Sequence, residues 1–243
     1  MRTLSLFVVA PLLLWLGLFV SWQTLSGVNF AYPTLYDAMS LDETIATYGP
    51  TNLYKNDFHL TSDDERFRIF AEIVKGINNH GQGLEGISYH GPQGVIDRLL
   101  RAPEVVHLQD VANLIDRLRV LTWGVISAIV VLGLFVLLKG YSQSFSVMKV
   151  YLLTVSACLA LSVVLFLFGA ESIFYYMHTV VFPEGHQWFF YYEESLMTTM
   201  MRAPDLFAGI AVLLVILALV YFYVFLKLTS MLLAANAKRS ASL

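Results

Sequence analysis

The chain has 243 residues and a formal net charge of −3, with 57% hydrophobic and only 14% charged residues. A soluble domain carries nearer a quarter charged residues, and a mean hydropathy of +0.65 likewise excludes an ordinary water-soluble globule. The mildly acidic balance gives no polybasic footprint for nucleic acid, and the single cysteine, Cys158, excludes a disulfide framework.

The fold class predicted is an all-α integral membrane protein with four transmembrane helices. Apolar runs occupy about 4–22, 120–138, 150–169 and 206–226. As helices each is roughly 28–32 Å long, which matches the hydrocarbon core. The first run follows Arg2, but it is too long for a signal-peptide core and no small-x-small site follows Trp22. It reads as a retained span.

Between the first two spans lies a segment, 23–119, predicted to form a mostly helical extracytoplasmic lobe. Residues 40–48 start with Ser40 and carry Asp42 and Glu43 in the first turn, the pattern of a short helix. Phe67, Phe70, Ile73, Val74 and Ile77 recur at helical spacing, so 61–78 is an amphipathic helix capped by Thr61 or Ser62. Five glycines in 79–94 mark a loop holding His80 and His90, which with His59 read as solvated; residues 93–100 read as another short helix.

From Pro103 the pattern is helical into the second span. Pro103 and Glu104 suit a helix start. His107, Val111, Leu114 and Leu118 share one stripe, which puts His107 on the apolar face of an interfacial helix. A straight helix would hold His107 roughly 20 Å beyond Val120. A bend near Asp116–Arg119, or a lobe packed over the site, is therefore expected. After the third span, Glu171, Tyr175, His178 and Phe182 fall on one helix face. The aromatic stretch 185–192 that follows suits headgroup depth, within a second extracytoplasmic segment, 170–205.

Basic residues set the orientation. Lys139 and Lys149 flank the turn 140–148, and Lys227, Lys238 and Arg239 follow the last span, whereas 170–205 carries five acids and one arginine. The positive-inside rule then predicts both termini in the cytoplasm and both histidines at the outer surface.

Glu104, His107 and Asp110 form E-x-x-H-x-x-D, and a carboxylate one turn from an imidazole can raise its basicity for general-base work. The competing reading is an interfacial helix with ordinary solvated charges. Glu171 divides the same way, between a snorkelling acid and a functional one beside His178. A metal site drawn from His107, His178 and His186 lacks any H-E-x-x-H or C-x-x-C pattern. No G-x-S-x-G elbow is present, the acyltransferase pattern H-x-x-x-x-D is not what surrounds His107, and no phosphate-binding glycine loop is present. Cys158, inside an apolar run, is a poor thiolate. Tyr175, Tyr176, Tyr191, Tyr192 and Trp188 read first as an aromatic belt.

The ordered set E-V-V-H-L-Q-D-V before the second span and M-H-T-V-V-F-P-E-G-H-Q-W after the third resembles the lipoprotein intramolecular transacylases, the Lit family. Glu104, His107, Asp110 and Val111 match its first motif, and His178, Phe182 and Trp188 its second. Leu108, Ala112 and Met177 depart from it, and His186 with Gln187 replaces a small polar pair.

The resemblance implies a four-span prokaryotic enzyme of the cytoplasmic membrane acting at its outer leaflet. Its substrate would be a diacylglyceryl-cysteine lipoprotein, whose sn-2 acyl chain moves to the N-terminal amine to leave an N-acyl lyso form. His107 and His178 would then be catalytic, with Glu104, Asp110, Glu171, Tyr175 and Trp188 in orienting or supporting positions, and with no cofactor or metal. Two other functions fit the same sequence: a non-enzymatic membrane accessory protein binding lipid or lipoprotein, and a metal-dependent membrane hydrolase.

Overall fold

In lipid a backbone must satisfy its own hydrogen bonds, so apolar runs of this length fold as helices. The computed structural model describes residues 2–55, 57–91, 94, 96–138 and 145–241. In chain order its regular elements are α1 (Arg2–Gly27), α2 (Tyr32–Ala38), α3 (Leu41–Tyr48), α4 (Asp63–Asn78), β1 (Ser88–His90), β2 (Ile96–Arg98), α5 (Ala102–Leu138), α6 (Val147–Phe168), α7 (Ala170–Val181), α8 (Leu196–Met201) and α9 (Asp205–Ala241). Among the described residues, four helical segments are long and apolar enough to cross a membrane: Val8–Gly27, Ala102–Leu138, Val147–Phe168 and Asp205–Lys238. Lys139 and residues 140–144 of the basic turn lie outside the described residues.

The chain divides into two units. The first comprises Met1–Thr24, Arg119–Phe174 and Leu213–Leu243. Leu13, Val147, Phe222 and Leu226 form its buried cluster, and a few polar side chains join its helices. Trp15 Nε1 donates to Thr122 Oγ1 at 3.0 Å and Ser21 Oγ to the Leu214 carbonyl at 2.8 Å. Gly17 permits a close approach of α1 and α9: a Cβ there would stand 2.8 Å from the Ala218 carbonyl oxygen. None of the most apolar window of α6 is buried, and Leu153, Phe166 and Phe168 are among its exposed side chains. Apolar surface this continuous is a lipid-facing surface. Gly169, at φ 83°, separates α6 from α7 in a backbone conformation that L side chains disfavour.

Leu25–Leu118 and Tyr175–Val212 form the second unit. Its centre is aromatic: the rings of Tyr32 and Phe70 stack at 4.0 Å, and Tyr36 meets Phe67 edge-on at 5.2 Å. Of the two predicted caps of α4, Ser62 serves, its Oγ accepting from the Glu65 N–H at 3.3 Å. Ile69, Phe70, Ile73, Val74 and Ile77 fill the buried face of α4. Arg66 is buried with them because its donors are engaged, by Tyr36 at 2.5 Å, Asp63 at 2.8 Å and the His59 carbonyl at 3.0 Å. Ser40 precedes α3 at φ 50° and makes no side-chain capping bond.

Two expectations change. The predicted helix at 93–100 is replaced, over Ile96–Arg98, by a strand antiparallel to Ser88–His90; residues 93 and 95 lie outside the described residues. Of the histidines expected to be solvated, His80 and His90 are exposed, with Asp116 at 2.7 Å and Glu65 at 2.8 Å beside them, whereas His59 is half-buried with its Nδ1 enclosed. Through Asp116–Arg119, where a bend or an overlying lobe was expected, the chain is helical, part of one element of 37 residues. Its length is about 55 Å against roughly 30 Å of hydrocarbon core. Residues 120–138 of α5 carry no charge, and its charged side chains fall in the turns from Ala102 to Arg119. Those turns are held by side-chain bonds: Gln109 Nε2 donates to the His80 carbonyl at 3.1 Å and to Asn113 at 3.0 Å.

Candidate active site

Every contact of the site lies within the second unit. Its first fixed point is Glu104 in the opening turn of α5. Glu104 Oε2 accepts from the Arg101 N–H at 2.5 Å, the back-reaching half of a capping box. Glu104 Oε1 accepts from Ser195 Oγ. Ser195 is the N-cap of α8, and its Oγ accepts in turn from the Thr198 N–H at 2.9 Å. Glu104 and Ser195 are fully enclosed, and burial pushes the Glu104 carboxyl above the usual carboxylate range. Glu104 therefore locks the start of α5 to α8 and is not engaged with either imidazole, as the E-x-x-H spacing had suggested.

One turn further on, His107 meets His178 from α7, with ring centres 6.2 Å apart and 31° between the planes. Phe182 packs against both at 5.1 Å. Phe190 flanks His107 at 6.2 Å, and Trp188 covers His178 at 4.8 Å. Tyr175 backs Trp188 at 5.6 Å and Phe189 at 5.8 Å. The tyrosine and tryptophan thus form a wall of the site in addition to any part in an aromatic belt. His178 is only 7% exposed. Burial, with the nearby His178 charge, pushes the His107 imidazole down to about 4, against the opposing pull of Asp110. His107 is accordingly neutral at neutral pH.

Asp110 was expected to orient a histidine of this pair. Instead its Oδ2 lies 2.6 Å from Nδ1 of His186, in the irregular segment between α7 and α8. Glu171 begins α7, is exposed, and falls in the first unit. Among the described residues no group of three or more His, Cys, Asp or Glu converges in a metal-holding arrangement. A polar cleft lined by Glu43, Thr47, Tyr48, Tyr192, Arg202 and Asp205 also belongs to this unit and includes neither imidazole.

The sequence reading missed three participants. Ser195 begins an S-L-M-T-T run whose N-cap pattern was visible, though not its partner. Phe190 was one aromatic among several. Arg101 lies 3.6 Å from Glu104 with its guanidinium over the rings of Tyr54 at 4.6 Å and Phe190 at 5.8 Å, contacts that only tertiary structure creates. Chemically, two imidazoles in an apolar enclosure can take a proton from one atom, give one to another, and donate a hydrogen bond to a developing oxyanion.

The model of a family described as lipoprotein intramolecular transacylase Lit matches residues 62–207. The in meso structure of the membrane-integral lipoprotein intramolecular transacylase Lit from Bacillus cereus, solved with a histidine-to-arginine mutation, is similar at a TM-score of 0.62. The two chains are 15% identical, with 96% of this chain and 93% of that one covered. At that identity the likeness speaks for a shared fold. A search of curated proteins gives no match for the chain.

Proposed function

The chain belongs to the lipoprotein intramolecular transacylase family, and on that premise we propose that it moves the sn-2 acyl chain of a diacylglyceryl-cysteine lipoprotein to the N-terminal amine, with His107 and His178 as the proton-transferring pair. It is an integral multi-pass membrane protein and an acyltransferase. The observation that carries the residue assignment is the pair of imidazoles 6.2 Å apart inside one aromatic enclosure.

The α-amine of the substrate is mostly protonated at neutral pH, with a usual pKa of about 7.7–8.0. His107, held neutral by burial, accepts a proton and frees the nitrogen lone pair. The nitrogen attacks the ester carbonyl, a C–N bond forms, and the carbonyl oxygen becomes an oxyanion to which His178 donates. After attack the nitrogen loses its second proton to an imidazole; collapse breaks the C–O bond, the glycerol oxygen leaves as an alcohol with one of the two protons, and the other is left over. Trp188, backed by Tyr175, holds the plane of the His178 ring. Glu104 fixes the helix turn from which His107 projects.

An amide is more stable than an ester, so the transfer runs downhill with no cofactor. Nucleophile and electrophile belong to one molecule, and well-oriented intramolecular attack removes up to about 7–11 kcal/mol of barrier. Proton transfer by positioned side chains adds roughly 10²–10⁴-fold. The distribution of basic residues supports an orientation with both termini cytoplasmic, and with 23–119 and 170–205 outside. The site then meets lipoproteins at the outer leaflet of the cytoplasmic membrane.

The test is mass spectrometry of a lipoprotein N-terminal peptide from cells expressing the native chain, His107→Ala or His178→Ala. The N-acyl lyso form should accumulate with the native chain and fall by at least about 10²-fold with either variant, at equal membrane levels. An unchanged lipid pattern on expression removes the reaction. Full activity of both variants removes the residue assignment.

A further inference from the structure

We propose that Asp110 and His186 form the route by which the proton released during acyl transfer leaves the site for water. The inference rests on the proposed reaction and on the geometry of a histidine that the reaction leaves unused.

The proton balance requires such a route. A substrate ammonium loses two protons from nitrogen as the C–N bond forms. The departing glycerol oxygen takes one of them, and the other remains as surplus at each turnover. The imidazole that first accepts it stands among Phe182, Phe190 and His178 and must give it up before the next cycle.

Asp110 lies three residues after His107 on α5, so the two side chains share a helix surface about 5–6 Å apart at Cβ. The Asp110 side chain is 10% exposed, while that of His186, its 2.6 Å partner, is 42% exposed. The carboxylate therefore stands between an enclosed imidazole and one in contact with solvent. An imidazole can take a proton on one nitrogen and release one from the other, which makes histidine the usual shuttle side chain. His186 also shares its short segment with Trp188, the residue that covers His178, so the route ends at the rim of the same enclosure.

A purely mechanical role, clamping the 183–190 segment onto α5, is the competing account. His186→Gln separates the two, because its amide can still donate to Asp110 but cannot pass a proton on. The full-length protein in detergent is assayed on a synthetic diacylglyceryl-cysteine lipopeptide with a free N-terminus. The native chain is compared with His186→Gln, His186→Ala and His107→Ala, and the folding of each is checked by thermal melting.

The proton route predicts that both His186 variants melt like the native chain and lose at least about tenfold in kcat with little change in KM. Imidazole added to the buffer should restore His186→Ala. Native-like kcat for His186→Gln, or no imidazole rescue of a folded His186→Ala, overturns the route. Absence of the N-acyl product with the native chain overturns instead the reaction beneath it, and a fully active His107→Ala the assignment of His107, so the failures are told apart.

Discussion

The two units of this protein are held together by opposite means. In the spanning unit the apolar side chains largely face outward, and cohesion comes from a small buried cluster, the Trp15–Thr122 and Ser21–Leu214 bonds, and the close approach at Gly17. Lipid is as apolar as leucine, so burying more leucine there gains little. In the second unit the aromatic rings are inside, and the buried Arg66 and Glu104 are each held by several hydrogen bonds. The difference shows where reactive groups can be kept. Buried polar side chains need fixed partners, and the unit that supplies them is also the one that holds the imidazole pair.

Three substitutions put that contrast to the test, in decreasing order of expected effect. Glu104→Ala removes the acceptor for both Ser195 Oγ and the Arg101 N–H. At about 1–3 kcal/mol for each unsatisfied buried donor, it should lower stability by about 3 kcal/mol and reduce activity through misplacement of His107. Denaturation in detergent reads the loss, and a native-like melt would mean that Glu104 is not a structural anchor. Gly17→Leu forces α1 and α9 apart at Ala218 and should cost about 1–3 kcal/mol. Its kcat in the lipopeptide assay should stay near native under conditions where the protein is folded. Phe166→Leu, on the exposed face of α6, is the control expected to leave the melt unchanged.

A further effect lies in pH dependence. His107 is held down to about 4 when folded, against about 6.5 in an unfolded chain. Between those values the unfolded state binds a proton that the folded state does not, so stability should decline as pH falls from 6.5 toward 4 and level off below it. His107→Gln should flatten that part of the melting curve against pH. An unaltered slope would mean that the imidazole is not withheld from solvent as its surroundings imply.

The spans were legible because hydropathy summed over twenty residues needs no knowledge of neighbours. The meeting of His107 and His178 was legible through topology, since each lies at the end of an apolar run that places it beside the other. Partners across the fold were not legible. Glu104 and Asp110 have the correct helical spacing to serve His107, yet Ser195, Arg101 and His186 compete for them from elsewhere in the unit. The bend or overlying lobe expected at Asp116–Arg119 rested on the roughly 20 Å that a straight helix puts between His107 and Val120. Asp116, Arg117 and Arg119 are nonetheless compatible with a helix, and the His80 loop engages its flank. At 96–98 the segment is too short for its period to separate strand from helix, and pairing with Ser88–His90 decides it.

The outward-facing surface of α6 bears on how such a sequence can change over time. At the exposed positions of that helix, such as Leu153 and Phe166, selection acts on summed hydropathy rather than on the identity of each letter. Leucine, valine and phenylalanine can replace one another there without a compensating change elsewhere. Such a helix can lose its sequence likeness to a relative long before it loses its place in the membrane.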